Sequence, residues 1–476
     1  MFVEVGFSFV CVLMIALINY QKLNSGHVQQ LRAIVGDDQV STAVAERKLR
    51  AQDMSRHEER LGDVVVWPRD AAQVADVLRL ANEERLPLTP WGAGSSLEGN
   101  PIPTYGGILL STERMLDVVK VYADDFQVTV QPGLGYKDLN HKLASYGLFF
   151  APDPGANATI GGMLANNAAG IRTVKYGACK DNVLQMEVAL ADGRLIRTGS
   201  RSIKQASGYD LLHLFIGSEG TLGVITEATL KLAPVPVNIS AVTASFDSIT
   251  AAIEAVVAVR GSGLDVAALE FLDEELSELL TRENGLKLGR SPSLLMELHA
   301  AHQATIDHDL ALVREICLEM GARTFYATAD TAQRRGLWHA RHHLFETVLR
   351  CYPGYEWINM DVAVPISAYP ELVAFSSQAM ADQELFGVLL GHAGDGNLHV
   401  TLSFNNGTTY ERAQIVNEQV IYKALALHGT ATGEHGVGIG KARFMPDEHG
   451  PALGVMAAVK AALDPRGILN PGKIFP

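Results

Sequence analysis

Cysteine is scarce: four residues in 476, at Cys11, Cys179, Cys317 and Cys351. No two stand close enough to form a C-x-x-C pair. Neither a disulfide framework nor a cysteine zinc site is indicated, and a reducing compartment is expected. Runs of lysine or arginine are also missing. The chain carries 39 basic against 53 acidic residues, a formal net charge of −14. A nucleic-acid binder needs a basic patch or stripe, so no such partner is expected. There is no G-x-G-x-x-G, hence no Rossmann fingerprint. A P-loop fails too, because Ala442 follows Gly440-Lys441 and His435 stands where the first glycine belongs. Charged residues are 19% and hydrophobic residues 47%, which excludes disorder, collagen and coiled coil as the main architecture. Only residues 1–20 form a long apolar stretch, with Glu4 the one charge before Lys22. It barely reaches the roughly 20 residues of a spanning helix, and it lacks a clear basic n-region or small-x-small cleavage site. Anchor, poor signal peptide and irrelevant extension all stay open for residues 1–24. The expected location is cytoplasmic, with this segment as the point of any membrane association.

Glycine, by contrast, is abundant and uneven. Of 44 glycines, residues 91–223 hold 19 and residues 387–440 hold 10, while residues 224–386 hold 7. Glycine permits positive φ and close approach of backbone to a ligand, so two regions look built around something that touches main chain. Val64–Val66 read as a short strand, followed by a helix with Asp70 at its N-cap and Val74, Val77, Leu78 and Ala81 on one face. A second strand from Leu88 runs into glycine. Residues 121–131 alternate as one strand, Asp138–Tyr146 read as a helix stopped by Gly147, and residues 183–198 as a hairpin turning at Asp192-Gly193. Pro234 and Pro236 break the chain. A helix over Asp247–Arg260 and alternating strands and helices follow, an α+β pattern. The expected organisation is an apolar extension (1–24), a helical segment (25–59), a ligand-binding domain (60–235) and a second α+β domain (236–476).

Three clusters dominate the first glycine-rich region: Pro90–Gly99; Asp153-Pro154-Gly155 with Thr159–Asn167; and Gly217–Thr226. Each is flanked by strand-like sequence. In order and spacing they resemble the FAD-binding domain of the vanillyl-alcohol oxidase type. The likeness runs on through Gly391–His399, Thr432–Gly436 and Asn470–Lys473, and the whole set is similar to the FAD-linked D-2-hydroxy-acid dehydrogenases over about residues 30–476. The resemblance implies a two-part FAD-binding domain plus an α+β substrate-binding cap whose C-terminal tail returns to the flavin. It implies FAD contacts at Gly92, Ala93, Gly94, Ser95 and Ser96, at Pro132 and Gly133, and at Asp153, Pro154 and Gly155. Further contacts fall on Thr159, Gly161, Gly162, Asn166 and Gly170, and on Glu219, Gly220, Ile225 and Asn470. Short side chains in the loop Gly92–Ser96 would let amides converge on anionic oxygens. Some relatives attach the flavin through a histidine in this loop. Ser95 stands there instead, so the FAD is expected to be non-covalent. Relatives also often carry a basic residue where this chain has Trp91.

In the second glycine-rich region His392 and His399 are separated by six residues, among them Gly394, Asp395 and Gly396, and Glu434 follows 35 residues later. Two imidazoles and a carboxylate suit Zn2+ or Mn2+ with positions left for substrate. Fifteen histidines present such pairs by chance, and it is the resemblance that makes His392, His399 and Glu434 metal ligands. It also makes the neighbouring His435 the base that removes the substrate hydroxyl proton, and Arg341 the partner of the substrate carboxylate. The activity implied is oxidation of D-lactate, or a similar short D-2-hydroxy acid, with electrons passing to a cytochrome, a quinone or an electron-transfer protein. A subunit of a glycolate oxidase-type assembly and a D-2-hydroxyglutarate dehydrogenase are the alternatives. Hydroxyglutarate-oxidising relatives carry lysine at the position of Asn359 and asparagine at that of Thr401, so a second carboxylate would be poorly served here.

Overall fold

The computed structural model describes residues 19–476. The chain divides into two compact units. The first comprises the described residues up to Ala168, Ala178–Pro234 and Glu434–Pro476; the second comprises Ala169–Gly177 and Val235–Gly433.

The first unit holds two main sheets. One is built from β1 (Val40–Ser41), β2 (Val64–Val66), β3 (Leu88–Trp91) and β4 (Ile108–Ser111), in the order β1-β2-β4-β3, with β4 parallel to both neighbours. Between β2 and β3 lies the helix Ala71–Glu83. The Asp70 carboxylate caps it by accepting from the Gln73 amide at 2.8 Å, and Val74, Val77, Leu78 and Ala81 are buried. The other sheet is antiparallel, with β5 (Val118–Tyr122), β6 (Gln127–Val130), β8 (Val183–Ala189), β9 (Leu195–Gly199) and β10 (Val224–Lys231) in the order β5-β6-β10-β8-β9. A short ribbon pairs β7 (Leu148–Phe149) with β11 (Ala233–Pro234). The expected hairpin is β8-β9. Gly193 turns it at φ 80°, where a Cβ would press to 2.6 Å on the Ala75 carbonyl.

Two local expectations change. Residues 121–131 do not make one strand: Ala123–Asp125 form a 3-10 turn, Phe126 takes a left-handed φ of 55°, and the chain reverses from β5 into β6. Across the turn Val121 opposes Val128 and so shares its face, an odd separation that a single alternating period does not produce. The helix expected over Asp138–Tyr146 runs from Tyr136 to Leu143 and tightens to a 3-10 turn over Ala144–Tyr146 before Gly147. The C-terminal segment completes the first sheet. Leu88 of β3 donates to the Ile468 carbonyl and accepts from the Asn470 amide, each at 2.8 Å.

The second unit is a seven-stranded antiparallel sheet. Its strands are β12 (Asn238–Phe246), β13 (Val266–Leu272), β14 (Ser293–Ala300), β15 (Ala322–Thr328), β16 (Glu356–Ala363), β17 (Gly387–Gly391) and β18 (Asn397–Phe404). They lie in the order β15-β12-β14-β13-β17-β18-β16. Residues 169–177 belong here because their polar side chains are committed to β14 and its surroundings. Arg172 pairs with Glu297 at 3.1 Å, Tyr176 Oη meets His299 Nδ1 at 2.8 Å, and Lys175 pairs with Asp265 at 2.7 Å.

The location expected from residues 1–24 is corrected. Among the described residues no helix is long and apolar enough to cross a membrane. Residues 1–18 of the segment invoked lie outside the described residues.

Glu297 ties acid stability to this architecture. Burial pushes its carboxyl up, but the hydrogen bond from His299 and the charge of Arg172 outweigh it and hold the group down at about 2. A carboxyl held lower in the folded state stabilises above its unfolded value and loses that contribution as pH falls through the folded one. Acid unfolding should therefore steepen between pH ~4.5 and ~2, where the contribution of about 3 kcal/mol that Glu297 makes at higher pH is lost. Glu297→Gln should flatten the dependence of stability on pH in that window, measured by denaturant titration at stepped pH.

Candidate active site

In the first unit, β3 delivers the chain into the loop Gly92–Ser96. Trp91 at its end is 5% exposed and packs with Val65, Trp67 and Leu109. Its ring lies under the loop, and a Cβ on Gly94 would come within 2.4 Å of it. A Cβ on Gly92 would strike Thr159 Oγ1 at 2.5 Å, one on Gly161 would meet Pro132 Cβ at 2.6 Å, and one on Gly220 would meet Pro90 Cγ at 2.9 Å. Thus the three clusters pack on one another, with Pro132 against the second and Gly133 pressed on the carbonyls of Thr112 and Met115. The loop is braced from behind. Asp53 accepts from Ser96 Oγ at 2.7 Å and from the Gly99 amide at 2.9 Å. Ala93, Ser95 and Ser96 are small and partly exposed. Such a loop, firm beneath and bare of bulk above, fits a group that approaches main chain, as the FAD pyrophosphate does.

The other expected cofactor residues divide. Thr159 caps the helix Ile160–Asn166 through the Gly162 amide. Pro154 and Gly155 accept from Tyr136 Oη at 2.9 Å and Lys137 Nζ at 3.4 Å, and Asp153 is buried. Ile225 lies in β10, paired with Val188. Asn470 donates to the carbonyls of Asn100 (2.9 Å) and Glu219 (2.7 Å). Gly170 falls in the second unit. Glu219 spends its polar groups on the chain itself. Its amide donates to Ala165 at 2.8 Å, its carboxylate accepts from the amides of Val437 at 2.6 Å and Gly438 at 2.8 Å and from Asn100 Nδ2 at 2.7 Å.

In the second unit the β17-β18 hairpin brings the two candidate histidines together. His392 follows β17, a 3-10 turn spans Ala393–Asp395, and His399 sits in β18 opposite Leu390. The imidazole centroids are 5.3 Å apart with the rings nearly perpendicular. Gly396 closes the turn at φ 71°, where a Cβ would lie 2.1 Å from the Val364 carbonyl. Behind His392, Nδ1 meets Glu270 Oε1 at 2.8 Å; the other oxygen of Glu270 faces Arg341 Nε at 2.9 Å and Nη2 at 2.6 Å. A carboxylate on Nδ1 fixes the tautomer with the lone pair on Nε2, the ligating form. Burial pushes the Glu270 carboxyl up, and the charges and hydrogen bonds of His392 and Arg341 bring it below its usual value. Behind His399 stands Asp361 at 3.8 Å, itself bonded to Asn397 Nδ2 at 2.6 Å and Thr432 Oγ1 at 3.0 Å.

Glu434 is joined by a peptide bond to Gly433, which is wedged where a Cβ would strike Asn397 Nδ2 at 2.3 Å. One ligating atom from each of His392, His399 and Glu434 lies within 4.8 Å of the others. Two imidazole nitrogens and a carboxylate at this spacing fit a Zn2+ or Mn2+ ion. Arg341 is buried rather than placed on a helix surface. His342 directs Nδ1 at the Trp338 carbonyl and His343 directs Nδ1 at that of His339, whose own ring lies 4.2 Å from the His343 ring. They finish the helix Thr331–His342, as histidines near a C-terminus do.

Glu270 and Asp361 carry no expected role from the sequence. A signal was present for Glu270: it is the one charge in the strand VAALEFL, and an acid buried among apolar neighbours must have partners.

Residues 235–474 match the family described as FAD linked oxidases, C-terminal domain, and residues 62–199 match the FAD binding domain. A Danio rerio protein named probable D-lactate dehydrogenase, mitochondrial, is 38% identical over 94% of this chain and 91% of its own length. An Arabidopsis thaliana protein named D-lactate dehydrogenase [cytochrome], mitochondrial, is 35% identical over 96% of this chain and 81% of its own. Glycolate oxidase subunit GlcD of Bacillus subtilis is 35% identical over 94% of this chain and 96% of its own. Among solved structures, p-cresol methylhydroxylase with substrate bound superposes with a TM-score of 0.76 at 17% identity, covering 96% of this chain and 98% of that one. The fold is the vanillyl-alcohol oxidase-type architecture expected from the sequence.

The cradle geometry makes a direct test available. Gly94→Val places branched carbons in the Trp91 ring and should lower the flavin-to-protein ratio of purified protein well below one. Gly336→Ala, where a Cβ meets nothing within 4 Å, should leave the visible flavin absorption unchanged.

Proposed function

The chain belongs to the FAD-linked oxidase family and is an FAD-dependent dehydrogenase, and from that premise we propose that it oxidises D-lactate, or a similarly short D-2-hydroxy acid, to the 2-oxo acid at a divalent-metal site. The observation that carries this reading is the His392–His399–Glu434 cluster, with its ligating atoms within 4.8 Å and His392 held in the ligating tautomer by Glu270. Bound there, Zn2+ or Mn2+ would acidify the substrate hydroxyl, while non-covalent FAD would accept the hydride and release electrons to a cytochrome or quinone.

The remaining work falls to the side chains. His435 receives the hydroxyl proton; an ordinary imidazole, near 6.5, is suited to that task around neutral pH. Arg341 holds the substrate carboxylate. Its side-on edge, Nε and Nη2, is taken by Glu270, and a guanidinium has five N–H donors. The end-on edge, Nη1 with the second hydrogen of Nη2, is therefore what it offers to substrate, with its plane already set by the buried glutamate. The preference for a short monocarboxylate is supported by the cross-strand pair Thr401–Asn359, hydrogen-bonded at 3.1 Å, which brings no cation to a second carboxylate. A second reading, a flavoprotein subunit active only within a larger assembly, is carried by the likeness to the glycolate oxidase subunit. Dye reduction by the isolated chain with D-lactate separates the two.

Metal chelation, or His399→Ala, should abolish flavin bleaching by D-lactate while the flavin itself stays bound. Full activity of metal-free protein would sink the metal-site reading. His435→Asn should slow flavin reduction by ~10²–10⁴-fold, the range for loss of a general base, with little change in substrate affinity, as read by stopped-flow absorbance. Acid precipitation should leave the flavin in the supernatant; colour in the pellet would mean a covalent link.

A further inference from the structure

The turn that carries His435 has no ladder of its own. Its backbone bends through positive φ at Gly436 (81°) and Gly438 (50°), and the amides of Val437 and Gly438 point at a side chain, the Glu219 carboxylate, at 2.6 and 2.8 Å. The His435 carbonyl accepts from Asn166 Nδ2 at 3.3 Å. Asn100 Nδ2 donates to Glu219 at 2.7 Å. The same three side chains close around Gly436: a Cβ there would lie 2.7 Å from Asn100 Nδ2, 3.0 Å from Glu219 Oε1 and 3.4 Å from Asn166 Nδ2. Each comes from a different glycine cluster or the residue directly after it. Glu219 is itself immobile: it is 5% exposed, its amide is bonded to Ala165, and its carbonyl is bonded to Asn470. Hydrogen bonds from two amides to one carboxylate are charge-assisted and directional.

We propose that Glu219 is a positioning residue for His435: its carboxylate fixes the backbone beyond the histidine and ties that backbone, with Asn100 and Asn166, to the segments that form the FAD cradle. The proposal rests on His435 being the proton acceptor. Glu219 does not touch substrate. It sets the position and direction of the imidazole, and a displacement of about 1 Å in a reacting group costs up to ~10²-fold in rate.

Glu219→Gln keeps the shape but turns one acceptor into a donor facing an amide N–H. With D-lactate as probe, stopped-flow flavin reduction should slow roughly 10- to 100-fold, with flavin content unchanged and the apparent Kd for D-lactate within about 2-fold. In a His435→Asn background the same substitution should change the rate by less than about 2-fold, because a misplaced base and an absent base are equivalent. Wild-type flavin reduction in Glu219→Gln overturns the proposal, as does a full second loss in the His435→Asn background, which marks a general structural role. If His435→Asn alone reduces flavin at the wild-type rate, the base reading fails and this proposal with it. Should Glu219→Gln not fold, Asn166→Ala removes the bond to the His435 carbonyl, with flavin content measured alongside. The same pattern is expected there, slower reduction that disappears in the His435→Asn background, and additive losses overturn the proposal.

Discussion

Glu270 has no exposed surface and lies in a strand whose other side chains are apolar. A carboxylate in such a place is tolerated only if both oxygens find charged or hydrogen-bonding partners. Arg341 and His392 are those partners, and much of the second unit follows from satisfying them together. The helix Thr331–His342 must present Arg341 at its buried face, and β17 must end so that His392 reaches β13. The imidazole then has one permitted tautomer. Removing any member leaves another buried and unpaired, which costs more than the contact itself supplied.

The first unit solves a different problem. Its glycines are needed as much for one another's segments as for a ligand: Gly92 lies on Thr159, Gly161 on Pro132 and Gly220 on Pro90. Close packing of three irregular loops leaves no room for side chains between them. Stiffness comes from elsewhere, from the Trp91 ring beneath the loop and the Asp53 brace behind it. Where relatives often place a basic residue, this chain has an aromatic floor. Cation and floor are different answers, one addressing the charge of the phosphates and the other the shape of the loop.

Much of this was legible in the sequence, for identifiable reasons. The helix Ala71–Glu83 announces itself through Asp70 and a clean apolar face, and the β8-β9 hairpin through Asp192-Gly193. Glycine density marked both regions that matter. The failures are equally specific. The β5-β6 turn sets Val121 opposite Val128, and its 3-10 residues carry none of the glycine or proline that marks a turn in sequence. Residues 169–177 read as part of the glycine-rich half, yet Arg172 and Tyr176 bind them to β14; a long-range ion pair leaves no local trace. The pairing of Arg341 with Glu270, 71 residues apart, is of the same kind. Glu219 looks in sequence like one more member of a ligand-binding cluster, and only in the fold is its carboxylate taken by the histidine turn.

The C-terminal segment gives the first unit a peculiar dependence on synthesis. The sheet that holds β3 is finished by residues 468–470, which bond to Leu88. The Lys460 ammonium is sealed inside by the carbonyls of Thr221 and Leu469 and the carboxylate of Asp464. The whole of Val235–Gly433 is made between these halves. On the ribosome, then, the strand that leads into the cofactor loop must wait with an open edge while the second unit is translated. Closing so long an intervening chain adds little entropy beyond that of a shorter one, since the cost grows only with the logarithm of length. The burden is one of time: the cradle is a late product of translation, and a ribosome that stalls just after Gly433 releases a chain whose second unit is whole and whose cofactor unit is not.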